Sequence, residues 1–230
     1  MSLNNAHEGY DYQDLITSYF ILEEILNGNR ESIFSIDKKH TKGDTPDRFD
    51  DLVITNGDKV QRKQVKYSNE QTSIRLTKDY LSADSHYKIA LHKLYQSWKA
   101  LSTTHSEFRL CLAWDEPVEK NILKVLNLQP SNLSSFESFP TKVFKVDINQ
   151  LWEIEPENFN RWDSLKQYVK EDNVNRDDFQ KFCECLLIEV NLPKASLKFD
   201  YPHELEKILI SQATRLGIGQ YPNDDINTID

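Results

Sequence analysis

Three side chains in this chain have the types and spacing to act on a phosphate: Asp51, Gln64 and Lys66, the last two separated by a single valine. A hard divalent cation such as Mg²⁺ takes oxygen ligands and keeps waters and substrate phosphate oxygens among them. Asp51 offers a charged oxygen, the Gln64 side-chain carbonyl a neutral one, and the Val65 main-chain carbonyl a third. Lys66 would then stand beside a bound water and phosphate. There it could orient or deprotonate the water and offset charge in a pentavalent transition state. These are the parts for metal-assisted phosphodiester hydrolysis. An acid and a lysine on one sheet face are equally the makings of a cross-strand ion pair that contributes a fraction of a kcal/mol. Spacing alone leaves both readings open.

The element that must position these residues is a hairpin. Residues 49–55 (FDDLVIT) and 59–67 (KVQRKQVKY) flank Asn56-Gly57, the strongest short-range hairpin signal. With Asn56-Gly57 as a two-residue turn, Thr55 pairs with Asp58, Asp51 faces Arg62 and Phe49 faces Gln64. Side chains alternate along a strand, and paired residues project to the same side. Asp51, Gln64 and Lys66 then share one face, and Asp50 points to the other with Lys63 and Val65. A turn at Gly57-Asp58 keeps this parity, whereas a three-residue loop exchanges Asp50 and Asp51.

Around the hairpin, apolar spacing predicts a helix over 10–27 (Tyr12, Ile16, Tyr19, Phe20, Ile25, Leu26) that stops at Gly28 and leans Gln13 toward the sheet. A strand follows at 32–36. A helix over 86–102 carries the stripe Tyr87, Leu91, Leu94, Trp98 and Leu101, and a strand follows at 107–114. The order α-β-β-β-α-β predicts an α/β core with a mixed central sheet over residues 1–115. Beyond it, a helix is expected over 117–128 with Pro117 at its start, then a strand at 142–147 and helices over 157–170, 176–189 and 203–216. That makes 116–220 a mainly helical extension packed on the core, with a polar, acidic tail or linker at 221–230.

A net charge of −9 excludes a protein coated in basic surface. The basic residues cluster instead, as Lys59, Arg62, Lys63 and Lys66 on the hairpin and Lys38, Lys39, His40 and Lys42 in the loop before it. Lys38, Lys39, Lys42, Arg62 and Lys63 are the candidates to hold a nucleic-acid backbone, and two solvated faces are the plainer alternative. Cys111, Cys183 and Cys185 are read as free thiols in a reducing cytoplasm. The histidines form no HxH, HExxH or Cys/His pattern, and the six glycines form no phosphate-binding loop or GxSxG. No bilayer-length apolar run and no secretory signal are read. Trp98, Trp114, Trp152 and Trp162 are read as core anchors in preference to base-stacking platforms.

GYDYQ (Gly9–Gln13) opening a helix, FDDLVI (Phe49–Ile54) and QRKQVKY (Gln61–Tyr67) together resemble the Mrr-like branch of the PD-(D/E)xK nucleases. The likeness is to the double-stranded-DNA endonuclease effector domains of bacterial anti-phage systems, and it covers residues 7–115. It implies a restriction-endonuclease-like core with metal binding by Asp51 and Gln64 and catalysis by Lys66. It also implies a lining role for Gln13 and a supporting one for Tyr12, beside Tyr10. Gln64 and Gln13 stand where the family commonly has acids, which leaves Asp50, Glu24 or substrate phosphate to make up the charge beside Asp51. The resemblance further implies Mg²⁺ or Mn²⁺ as cofactor, DNA as substrate, and fusion to or association with a sensor module. Activity would come with homo-oligomerisation. The same residues also suit a nuclease-fold domain that has lost catalysis and binds nucleic acid or protein.

Overall fold

Helical spacing of apolar side chains makes α1 (Leu3–Leu26), which buries Tyr12, Ile16, Tyr19 and Phe20 along one stripe. Gly28, at a φ of 80°, ends it with the left-handed turn that glycine adopts without strain. The computed structural model describes residues 3–67, 74–82, 89–136, 139–152, 174–196 and 202–218. After α1 come β1 (Ile33–Ile36), β2 (Leu52–Asn56), β3 (Lys59–Lys66), the short α2 (Lys78–Ser82), α3 (Leu91–Leu101) and β4 (Ser106–Leu112). The predicted α-β-β-β-α-β order is present, with α2 as an added turn of helix. The first residues of the predicted 86–102 helix lie outside the described residues.

The remaining elements are α4 (Lys120–Leu123), β5 (Leu126–Leu128), β6 (Lys142–Val146), α5 (Ile148–Trp152), α6 (Arg176–Cys185), β7 (Leu186–Val190) and α7 (Glu204–Arg215). All strands join one seven-stranded mixed sheet in the order β1-β2-β3-β4-β7-β6-β5. β3, β4 and β7 run parallel to one another, and the outer pairings are antiparallel. The fold class is α/β.

The strand expected at 142–147 is β6, but the region beyond residue 115 is not a helical extension laid on a finished sheet, because β6 and the unforeseen β5 and β7 complete that sheet. The predicted 117–128 helix is a single turn, α4, followed by β5. The predicted 176–189 helix stops at Cys185, and its last residues become β7. Every β7 residue is buried, so the run LLIEV shows no alternation, as expected of a strand covered on both faces. The predicted helix over 157–170 and the tail lie outside the described residues.

Helices cover both faces. α3 and α6 pack Leu94, Trp98, Phe179 and Phe182 against Phe108, Leu110, Ile188 and Val190. On the other face α1 and α7 pack Tyr12, Ile16, Phe20 and Leu205 against Leu52, Ile54, Val65 and Cys111. Trp98 and Trp114 are core residues, as read from the sequence.

Candidate active site

The hairpin closes through Gly57-Asp58, with Asn56 opposite Lys59 and Leu52 opposite Lys63. Gly57 has a φ of 60°, whereas Asn56 is not among the residues with positive φ. A glycine at the first central position suits a type II′ turn, whereas type I′ needs positive φ at both central residues. The turn therefore slides one residue from the expected Asn56-Gly57. This is the alternative that keeps parity, and it moves the partner of Asp51 from Arg62 to Gln64.

The three expected site residues meet. Oδ2 of Asp51 accepts hydrogen bonds from Nε2 of Gln64 and from the main-chain N–H of Val65 at 2.6 Å. Nζ of Lys66 lies 3.6 Å from the same oxygen and donates to the Val65 carbonyl at 2.7 Å. The Asp51 and Lys66 side chains keep 13% and 21% of their exposure while Gln64 is buried, so solvent reaches the cluster only at the edge that Asp51 and Lys66 present. Asp50 is half-buried. Burial, then the adjacent Asp51 charge, raises its pKa, and Lys66 counters this. Asp50 therefore sits close enough to add charge to the site.

Gln13 does not reach Asp51. Its Nε2 donates to Oδ1 of Asp37 at 2.5 Å, and the Asp37 N–H donates to the Asp51 carbonyl at 3.3 Å. The connection therefore runs through Asp37, a residue the sequence reading passed over. Asp37 ends β1 at a φ of 49°, a conformation aspartate tolerates better than most residues. Tyr12 is fully buried. Its ring stacks 4.5 Å from that of Tyr67 and its hydroxyl donates to the Pro193 carbonyl at 2.9 Å, so it braces the end of β3 from behind. Glu24 lies about three helical turns from Gln13 and accepts from Ser32 at 2.7 Å, so it contributes nothing here.

No protein-family model and no curated protein matches this chain.

The basic candidates separate. Lys38, Lys39 and Lys42 are exposed in the loop after β1, as expected. Arg62 lies on the Gln64 face of β3 and is half-buried. Lys63 is wrong for a DNA contact: it is 2% exposed and faces α1. Its Nζ lies 3.0 Å from Oε1 of Gln61 and 4.2 Å from the centre of the Phe20 ring. Burial and Arg109 lower its pKa. The strand alternation that puts Lys66 at the cleft puts Lys63 in the core.

Among the described residues, no group of three or more His, Cys, Asp or Glu side chains could hold a metal ion. A cation here would lean on one carboxylate, which suits Mg²⁺ better than a metal needing a full protein cage. Turning the Gln64 amide by half a turn would present Oε1 in place of Nε2. The donor set of Asp51, Gln64 Oε1 and the Val65 carbonyl then consists of hard oxygens, which fits such an ion. Cys111 is buried, and burial pushes its thiol up to about 12, which removes thiolate chemistry near the site.

Proposed function

We propose that this chain is a metal-dependent DNA endonuclease domain that hydrolyses phosphodiester bonds, with double-stranded DNA as substrate and little reading of sequence. The observation that carries the reading is the convergence of Gln64, Val65 and Lys66 on one oxygen of Asp51, with Asp51 and Lys66 still partly exposed. The three sequence pieces of the PD-(D/E)xK resemblance lie in α1, across the approach to β2 and its first residues, and on β3 with the residue after it, in the order the resemblance implies.

In this reading Asp51, Gln64 and the Val65 carbonyl hold Mg²⁺ or Mn²⁺. The bound ion supplies Lewis acidity and a water of lowered pKa. Lys66 places its ammonium against the attacked phosphate and offsets the charge that grows there. Asp37 and Gln13 fix the backbone around Asp51, and Asp50 adds negative charge. No described helix is long and apolar enough to cross a membrane. A cytoplasmic setting, a fused or associated sensor module and homo-oligomerisation on activation complete the proposal by analogy with the resembled effectors.

Calorimetric titration with Mg²⁺ and Mn²⁺, paired with cleavage of a plasmid, tests the reading. Saturable binding and metal-dependent cutting, both lost in Asp51→Asn, are expected. A second reading, a nuclease-fold domain that binds without cutting, is favoured by the single carboxylate and by the donors already gathered on it. Absence of metal binding even with DNA present would support that alternative.

A further inference from the structure

Two residues before Gln64, on the same face of β3, lies a second polar cluster. Arg62 pairs with Val53, and its Nε and Nη1 are enclosed with no acceptor. The loop after β1 brings His40 within electrostatic range of Arg62, and its Nε2 is also enclosed and unpartnered. Asp47 is the acid at hand, yet both its oxygens are taken by main-chain donors. Oδ2 accepts from the N–H of His40 at 2.9 Å and Oδ1 from that of Phe49 at 3.0 Å. The loop is pinned in place: Thr41 donates to the Thr45 carbonyl at 2.5 Å, and Ser97 of α3 donates to that of Pro46 at 2.9 Å.

Enclosed guanidinium donors without acceptors are costly and uncommon in folded chains. Here three nitrogens on two basic side chains lack a hydrogen-bond partner, and both side chains remain partly open at the residue level. Exposed Lys38 and Lys39 stand on the same loop. An oxyanion would satisfy the guanidinium, whose fork matches phosphate geometry. Two residues of strand separate Arg62 from Gln64 by about 6.6 Å, room for a neighbouring nucleotide.

We propose that Arg62 and His40 form a phosphate-binding subsite beside the Asp51–Gln64–Lys66 cluster, holding a backbone phosphate next to the one under attack. The identity of its ligand as nucleic acid rests on the nuclease reading. Burial and the Arg62 charge hold the His40 pKa down, and a bound phosphate pushes it back up, which supplies a spectroscopic readout.

The test titrates inorganic phosphate, without metal, into the whole chain while following the His40 imidazole resonances, assigned by their loss in His40→Gln. Saturable shifts are expected in the parent and in Asp51→Asn. They should weaken several-fold in Arg62→Lys and vanish in Arg62→Ala, with circular dichroism showing that both variants fold. With labelled duplex DNA in chelator, Arg62→Ala should lower the salt slope of binding by about 0.9. Phosphate that leaves His40 unmoved, or moves it equally in Arg62→Ala, overturns the subsite even in a chain that cuts DNA. Phosphate bound at His40 in a chain that neither binds metal nor cuts leaves the subsite standing and overturns the nuclease reading alone.

Discussion

The two faces of β3 carry the same kinds of residue and put them to opposite uses. Toward α1, Lys63 lies in a sealed polar layer with Arg109 and Glu189. Nη1 of Arg109 lies 2.7 Å from Oε2 of Glu189, whose side chain is fully buried. The other Glu189 oxygen accepts from Ser134 at 3.0 Å, the Ser135 N–H at 2.8 Å and Thr141 at 2.8 Å. Arg109 also reaches Glu107 at 3.1 Å and the Leu133 carbonyl at 2.9 Å. Toward α3, Asp51 gathers its donors on one oxygen at a place where its own side chain and that of Lys66 keep partial exposure, and Arg62 keeps enclosed N–H groups without acceptors. The sealed layer is satisfied and holds the sheet together, whereas the open one has bonding capacity left for a ligand. Charge alone does not mark a site; charge with bonding capacity left unspent does.

The sharpest way to break this contrast is to remove the centre of the sealed layer. Glu189→Ala strands Arg109 and three donors, so it should cost about 3 kcal/mol or more in chemical denaturation. The contacts of Arg109, Ser135 and Thr141 outweigh burial and lower the Glu189 pKa. Its stabilisation is therefore present above the ordinary glutamate range and lost as pH falls through the depressed folded value. Glu189→Ala should flatten that acid limb. An unchanged limb would mean the layer is ornamental.

On the open face, Lys66→Ala should slow metal-dependent cleavage by about a hundredfold or more and change stability by less than about 1 kcal/mol. A variant that cuts at the parental rate would remove Lys66 from the chemistry.

Lys63→Met sharpens the comparison from the other side. Removing a buried cation should leave stability level or raise it by about 1 kcal/mol, with no change in the salt dependence of DNA binding. The folded pKa of Lys63 is lowered, so the unfolded chain binds more protons between that value and the ordinary lysine value, and stability should rise with pH across that window. Lys63→Met should lose this alkaline rise. A DNA-binding defect in Lys63→Met would contradict its placement in the core.

Much of this contrast was legible in the sequence, since alternation alone assigned Asp51, Gln64 and Lys66 to one face and Lys63 to the other. Listing Lys63 among the DNA contacts ignored that same parity. The position of the turn was not fixed by Asn56-Gly57, because Gly57 serves type I′ or type II′ turns according to which neighbour joins it. β7 was hidden because a strand buried on both faces has no period to read. Asp37 gave no signal and His40 showed only as one member of a basic run, since their roles depend on a loop folding back beside β3, which no local pattern encodes. Gln13 was placed on the right helix, but its partner is set by where β1 ends.

The smallest expected effect belongs to Asp50. Its folded pKa is raised, first by burial and then by Asp51. The protonated form therefore favours folding below the ordinary aspartate value, and that contribution is lost as pH rises through the folded value. Asp50→Asn should give a slightly higher Tm than the parent at neutral pH without metal, discounted by the solvent that still reaches the group. Mg²⁺ near Asp51 should stabilise the parent more than the variant, because the ion relieves a repulsion that only the parent has, and the Tm gap should close as Mg²⁺ is added. Equal Mg²⁺ responses in the two proteins would place the ion away from Asp50 and Asp51, and the open face of β3 would then differ from the sealed one in exposure but not in metal chemistry.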